Sequence, residues 1–229
     1  LSLALAAVLA LLLAIGGAPT SLAAPPDGDL LDYAVGFRRD FGLTAGEAHV
    51  QDTFQDPLGY PDRTWGLPLS EAEAADLEAR LRWQTRLGDA IAYAESQPDY
   101  GGMYYDQAVG GSAVFRFTAD LDRHRSAVAS RAPGEALIEV RDAVYRMSDL
   151  ERLKDEISSH IMGLRSEGIP VVQVDANARA NRVLVSVERD SAGALSALRA
   201  RYGNIVETDI LNAGALRRLQ QPSRVPRST

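Results

Sequence analysis

The chain writes one pattern twice. From Gly101 to Asp120 it reads GGMYYDQAVGGSAVFRFTAD, and from Ile169 to Asp190 it reads IPVVQVDANARANRVLVSVERD. In each, an apolar or aromatic run closes on an aspartate (Asp106, Asp175), and a Gly- or Asn-rich gap follows. An alternating apolar run then leads to a second aspartate (Asp120, Asp190) placed to open a helix. Alternation at period two between turn residues is the mark of a β-hairpin. Phe115 and Phe117 share one face around Arg116; Val183, Val185 and Val187 share one around Leu184 and Ser186. A shift of 70 positions superposes Phe115 on Val185, Phe117 on Val187 and Asp120 on Asp190. Asp106 and Asp175 lie 69 apart, so the second hairpin loop is expected to be one residue longer.

After each hairpin comes an amphipathic helical stretch (Leu121–Arg131, Ala192–Arg201) and then a further strand (Ala136–Tyr145, Asn204–Ile210). This order confines the chain to an α+β fold. The expectation is two β-hairpin–helix–strand modules with small antiparallel sheets, at residues 99–147 and 169–211, joined by a helix over 148–168. An N-terminal helical region over 24–98 precedes them, and an Arg/Pro tail over 212–229 follows.

Three capping boxes place the other helices. Thr44 with Glu47 opens a short helix to about Gln55, ended by Asp56-Pro57. Ser70 with Glu73 opens a longer one that reaches Gln97-Pro98, and Ser148 with Glu151 opens the linking helix, closed by Gly168. The last helix ends at Gly203, which suits a positive-φ terminus.

Leu1–Pro26 carries no charge, has an apolar core from Leu3 to Ile15, and ends in small residues around Ser21 and Ala23. This reads as a signal peptide cleaved after Ala23, with a retained anchor as the alternative, because the core is short of the roughly 20 residues a span needs. Export to the cell envelope or medium is the expected localisation, with no stable membrane span after cleavage. The chain has no cysteine, so no disulfide framework is available. Net charge is −7 over 229 residues, although the segment after Asn212 holds four arginines and no acid. An acidic body argues against nucleic acid as a partner, because such binding rests on neutralising phosphates.

Chemistry-bearing patterns are sparse. The histidines are His49, His124 and His160, and none stands beside a nucleophile turn, so each reads first as structural. No metal-ligand spacing is present, and no cofactor is expected. Asp120 reads as a helix cap and Asp106 as a turn acid. Tyr100, Tyr104, Tyr105, Phe115 and Phe117 gather aromatic surface, whose commoner use is cross-strand pairing rather than ligand stacking.

On Gly101, Gly102, Tyr104, Asp106, Gly111, Val114, Phe115, Phe117, Thr118 and Asp120, the first hairpin resembles a stretch in the pro-regions of secreted bacterial chymotrypsin-like serine proteases, the alpha-lytic protease and streptogrisin group. On Val174, Asp175, Asn181, Arg182, Val183, Val185 and Val187, the second is similar to that family's second hairpin; between them, VRDAVYRMSDLERLKDEI fits as strand and helix. The resemblance covers roughly Leu69 to Ile210. It implies small sheets with packed helices, folding catalysis and tight inhibition of a protease, one sheet docked on a protease hairpin, and a C-terminal tail lying in the active-site cleft. That tail role would fall on Val206, Glu207, Thr208, Asp209 and Ile210 and the residues just beyond.

The family's protease domain is not matched here, the chain stopping 19 residues past Ile210. The expected function is therefore a non-catalytic module that binds a secreted chymotrypsin-like serine protease as inhibitor or folding helper. The alternatives are the front portion of a longer protease precursor, and an envelope binding module with another ligand.

Overall fold

The computed structural model describes residues 27–55, 65–189 and 193–211. Residues 1–26, where a signal peptide is expected, the Pro-rich stretch 56–64, residues 190–192 (with the helix-opening Asp190) and the tail beyond Leu211 lie outside the described residues. The chain divides into two compact units. The first contains the described residues up to Arg82 together with Gln107–Gly111; the second contains Trp83–Asp106 and the residues from Ser112 onward.

The first unit is built on helices α1 (Asp27–Asp40), α2 (Glu47–Gln55) and α3 (Glu71–Gln84), the last two residues of α3 counting with the second unit. Ala34, Val50, Leu67, Leu69 and Leu77 form its core, with Phe37 stacked on Phe41 at 4.3 Å. Helix α1 had no capping signature, and its buried stripe includes a charge: Arg38 is wholly buried. Its guanidinium donates to both carboxylate oxygens of Glu73 at 3.0 and 3.1 Å, to Thr53 Oγ1 at 3.2 Å, and to the Pro68 carbonyl. Glu73 also closes the capping box with Ser70, accepting from its backbone N–H at 2.9 Å while its own N–H donates to Ser70 Oγ at 3.3 Å. Thr44 does not start α2; the first turn closes from the Val50 N–H to the Gly46 carbonyl.

In the second unit, α4 (Gly88–Glu95) leads to β1 (Tyr100–Asp106), β2 (Ser112–Phe117), α5 (Leu121–Ala129) and β3 (Ile138–Asp142). Then α6 (Met147–Ser159) and α7 (Ile161–Ser166) lead to β4 (Val171–Asn177), β5 (Arg182–Val187), α8 (Ala194–Tyr202) and β6 (Val206–Ile210). The fold is α+β, with two three-stranded sheets of order β1-β2-β3 and β4-β5-β6. The sheets are mixed where antiparallel ones were expected. Each hairpin is antiparallel, but β3 runs parallel to β2 and β6 parallel to β5. A helix between two strands returns the chain to its starting end, so the third strand enters parallel.

Two helices expected to be continuous are broken. The Ser70 helix stops after Gln84, where Arg86 and Leu87 donate three residues back to Trp83 and Gln84, and restarts at Gly88. The restarted α4 packs in the first module's core, with Ala90 and Ala94 among Phe115, Phe117, Val128 and Val140. The linking helix opens at Met147, not on Ser148: Arg146 is its cap, and no side chain caps it. It breaks at His160, and its Leu150, Leu153 and Ile157 join Val183, Val185, Val187 and Leu198 in the second core.

Register corrects the reading of the repeat. Both hairpins carry a bulge at the same place, between Tyr100 and Gly102 and between Val171 and Gln173. Met103 pairs with Phe115 as Val174 pairs with Val185, which makes Tyr104 the counterpart of Asp175 and Asp106 that of Asn177. The first hairpin spends residues 107–111 on its loop and the second 178–181, so the second loop is one residue shorter, not longer. Aspartate at a strand end served as a false landmark, because turns favour Asp and Asn alike.

Candidate functional site: the end strand and open face of the second sheet

The segment Val206–Ile210 forms β6, the last strand in its sheet's order. The two residues that face the core, Val206 and Thr208, are buried; Glu207, Asp209 and Ile210 are exposed. On its inner side β6 is held by β5, and the Leu211 N–H donates to the Val187 carbonyl at 2.9 Å. Alternation along the strand then turns the Thr208 and Ile210 N–H groups away from β5.

The other sequence candidates lie elsewhere. His124 is fully buried. Its ring stacks flat on Phe117 at 3.8 Å, with Nε2 at 2.9 Å from Asp99 Oδ2 and Nδ1 at 3.0 Å from the Tyr93 hydroxyl. Its neighbours Arg123 and Arg125 suggest a surface helix, but α5 turns His124 and Val128 inward. His49 meets Glu73 at 3.2 Å, and His160 Nδ1 lies 2.8 Å from the Glu156 carbonyl. Asp120 occupies the cap position of α5 in a left-handed conformation without a side-chain capping bond. Among the described residues, no group of three or more acids and histidines is arranged to hold a metal ion.

The aromatics divide by face. Tyr100 and Tyr105 pack into the first core with Phe115 and Phe117, and burial pushes the Tyr105 hydroxyl up to about 12. Tyr104 lies on the opposite face, under the second hairpin's turn. Arg179 stacks over its ring at 4.4 Å, pairs with Asp106 at 3.3 Å and donates to the Tyr105 carbonyl. From the sheet, Arg116 donates to the Ala178 and Arg179 carbonyls at 3.3 and 2.8 Å. Gly102 makes room: a Cβ there would stand 2.7 Å from that of Ala178, and its φ of +106° is one L side chains rarely adopt. Asn181 clips the turn in place with its whole amide. It accepts from the N–H groups of Val144 and Tyr145 and donates to the carbonyls of Gly101 and Tyr145, all within 2.8–3.2 Å.

The matching face of the second sheet is built on the same register and filled differently. Rows across it run Asp175–Leu184–Glu207 and Gln173–Ser186–Asp209. The corresponding rows of the first sheet are Tyr104–Val114–Glu139 and Gly102–Arg116–Arg141. There Glu139 is neutralised by a bidentate Arg141 at 2.6 and 2.7 Å. Here the arginine positions are Ser186 and Asp209, and Asp175, Glu207 and Asp209 are exposed without an ion pair among the described residues. Arg182, the nearest cation in the hairpin, is engaged elsewhere, over the Tyr145 ring at 5.0 Å and with the Asn181 carbonyl. The acid–apolar alternation of VETDI signalled such a strand; the convergence with Asp175 needed the register.

No family model matches the chain, and no curated protein matches it.

Proposed function

We propose that this chain is a non-catalytic, pro-region-like module that binds a secreted chymotrypsin-like serine protease, as inhibitor or folding helper. The observation that carries the reading is the end strand β6, bonded to β5 on one side only, with Ile210 half exposed at its end. An end strand with outward N–H and C=O groups accepts a strand from a partner, giving affinity through main-chain bonds and selectivity through alternate side chains. The resemblance of both hairpins to protease pro-regions supplies the partner class, and the end strand coincides with the segment to which that resemblance gives the cleft-directed role. The leader supports an exported chain that meets such a protease outside the cytoplasm.

Titration of the purified chain into a streptogrisin-type protease, read with a chromogenic peptide and during refolding from denaturant, tests this. Inhibition or faster refolding at micromolar concentration or below supports the reading; a folded chain without either effect overturns it. Ile210→Pro sharpens the test. Proline removes an N–H that β5 does not use and is tolerated on edge strands, so the variant should stay folded while protease binding weakens about ten-fold, the scale of losing one or two interface hydrogen bonds. Unchanged binding would sink the role of β6.

A further inference from the structure

We propose that the open face of the second sheet is a seat for an arginine- or lysine-bearing turn of the partner protein. This rests on the protein-binding reading above and names the chemistry of the partner surface. Three observations converge on it. First, Asp175, Glu207 and Asp209 stand exposed on this face with no ion pair among the described residues, Arg182 being engaged over the Tyr145 ring. Uncompensated like charges on one sheet face repel one another, and a cation laid across them relieves that repulsion.

Second, Ser186 lies between Gln173 and Asp209 on the same face, is 1 % exposed, and its hydroxyl has no hydrogen-bond partner. A buried hydroxyl without a partner is an uncommon cost, one that a donor or acceptor inserted between the flanking Gln173 and Asp209 side chains would relieve. Third, the molecule holds a filled version of the same seat. On the first sheet the corresponding face takes a chain turn, and the turn's arginine binds by stacking on Tyr104 and pairing with Asp106. Where the first sheet supplies Tyr104, Arg116 and Arg141, the second supplies Asp175, Ser186 and Asp209. The exchange leaves a face with the opposite charge, one that selects cations. Charge of this kind acts mainly on partner choice and association rate.

The probe is a cyclic peptide carrying ANARANR, the sequence of this chain's own seated turn, with its two-Gln counterpart (both arginines replaced) as control. It is titrated into the full chain by calorimetry. Saturable binding is expected, weakening at least ten-fold between about 20 and about 300 mM salt, as screening shortens the reach of exposed charges. Asp175→Asn/Glu207→Gln/Asp209→Asn should abolish it. Asp40→Asn/Asp52→Asn/Glu156→Gln, which removes the same charge from exposed positions elsewhere, should not. Ser186→Ala, which deletes only the unpartnered hydroxyl, keeps the fold and should weaken binding several-fold.

Equal losses in both triple variants would reduce the effect to net charge and overturn the seat; so would equal binding of the control peptide. Binding that appears only when Arg217, Arg218, Arg224 and Arg227 are changed to Gln would assign the face to this chain's own arginines, and would overturn a partner. With the protease, equal inhibition by the native chain and the seat variant sinks this inference and leaves the proposed function intact. Absence of both inhibition and faster refolding with the native chain sinks the function instead.

Discussion

The two sheets share strand order, bulge position and register, and differ in what lies on the face away from the core. On the first, Arg116, Arg141 and the visiting Arg179 each meet a carbonyl or carboxylate, and Gly101 and Gly102 let the neighbouring chain in. A Cβ on Gly101 would approach that of Ala143 to 2.3 Å. On the second, the carboxylates meet nothing among the described residues. Matching strand registers thus serve two ends: one face finishes the fold, and the other is left with charge to offer. The two sets of rows differ at Tyr104/Asp175, Val114/Leu184, Gly102/Gln173, Arg116/Ser186 and Arg141/Asp209, all on the face turned away from the valine and phenylalanine cores.

Breaking a carboxylate that the fold does use should have the largest effect. Glu73→Ala strands a fully buried Arg38, and should cost about 3–5 kcal/mol, the scale of breaking a buried pair. Burial raises the Glu73 carboxyl, but the Arg38 guanidinium, the Ser70 N–H and His49 together outweigh it and hold it below its ordinary value of 4.5. The sign follows from linkage. The contribution is complete above about 4.5 and is lost as the pH falls through the lower native value, so acid titration of the native chain should show a loss there that Glu73→Ala lacks.

Next in size is the clip between the modules. Asn181→Ala leaves two N–H groups and two carbonyls without their side-chain partner and puts alanine at a φ of 53°. A loss of about 3 kcal/mol or more in urea unfolding is expected; a loss near zero would show that the turn seats itself without it. Smaller again is Arg179→Ala, at about 1 kcal/mol for a half-exposed cation–π contact and ion pair. Its counterpart test on the bare face, Asp209→Asn, should change stability by less than about 0.5 kcal/mol, as surface changes do. If Asp209→Asn proves as costly as Arg179→Ala, the second face is a structural element and the contrast between the sheets fails.

Much of this was readable from residues in order. The alternations around Phe115 and around Val185 gave the hairpins, and Ser70 with Glu73 gave a cap whose two bonds both form. The strand expected over Asn204–Ile210 was likewise legible from its place after the helix, and forms over Val206–Ile210. These features depend on neighbours within a few positions, where the period of the backbone sets which side chains share a face. The continuous helices failed at Thr85–Leu87 and at His160, because periodicity reports a face and not whether the chain holds its direction. Helix α1 was missed because Arg38 sits where an apolar residue belongs, and only Glu73, 35 residues on, makes that position tenable.

By itself, then, the sequence determined the element types, the doubled module and the acid–apolar alternation of β6. Tertiary structure alone decided that the third strands run parallel, that His124 is interior, that one arginine turn fills the first face, and that Asp175 joins Glu207 and Asp209 on the second. Each of these is a pairing between residues far apart in the chain. Local propensity carries no information on which distant groups will meet, because that choice is made by burying the two cores and satisfying every polar group they enclose.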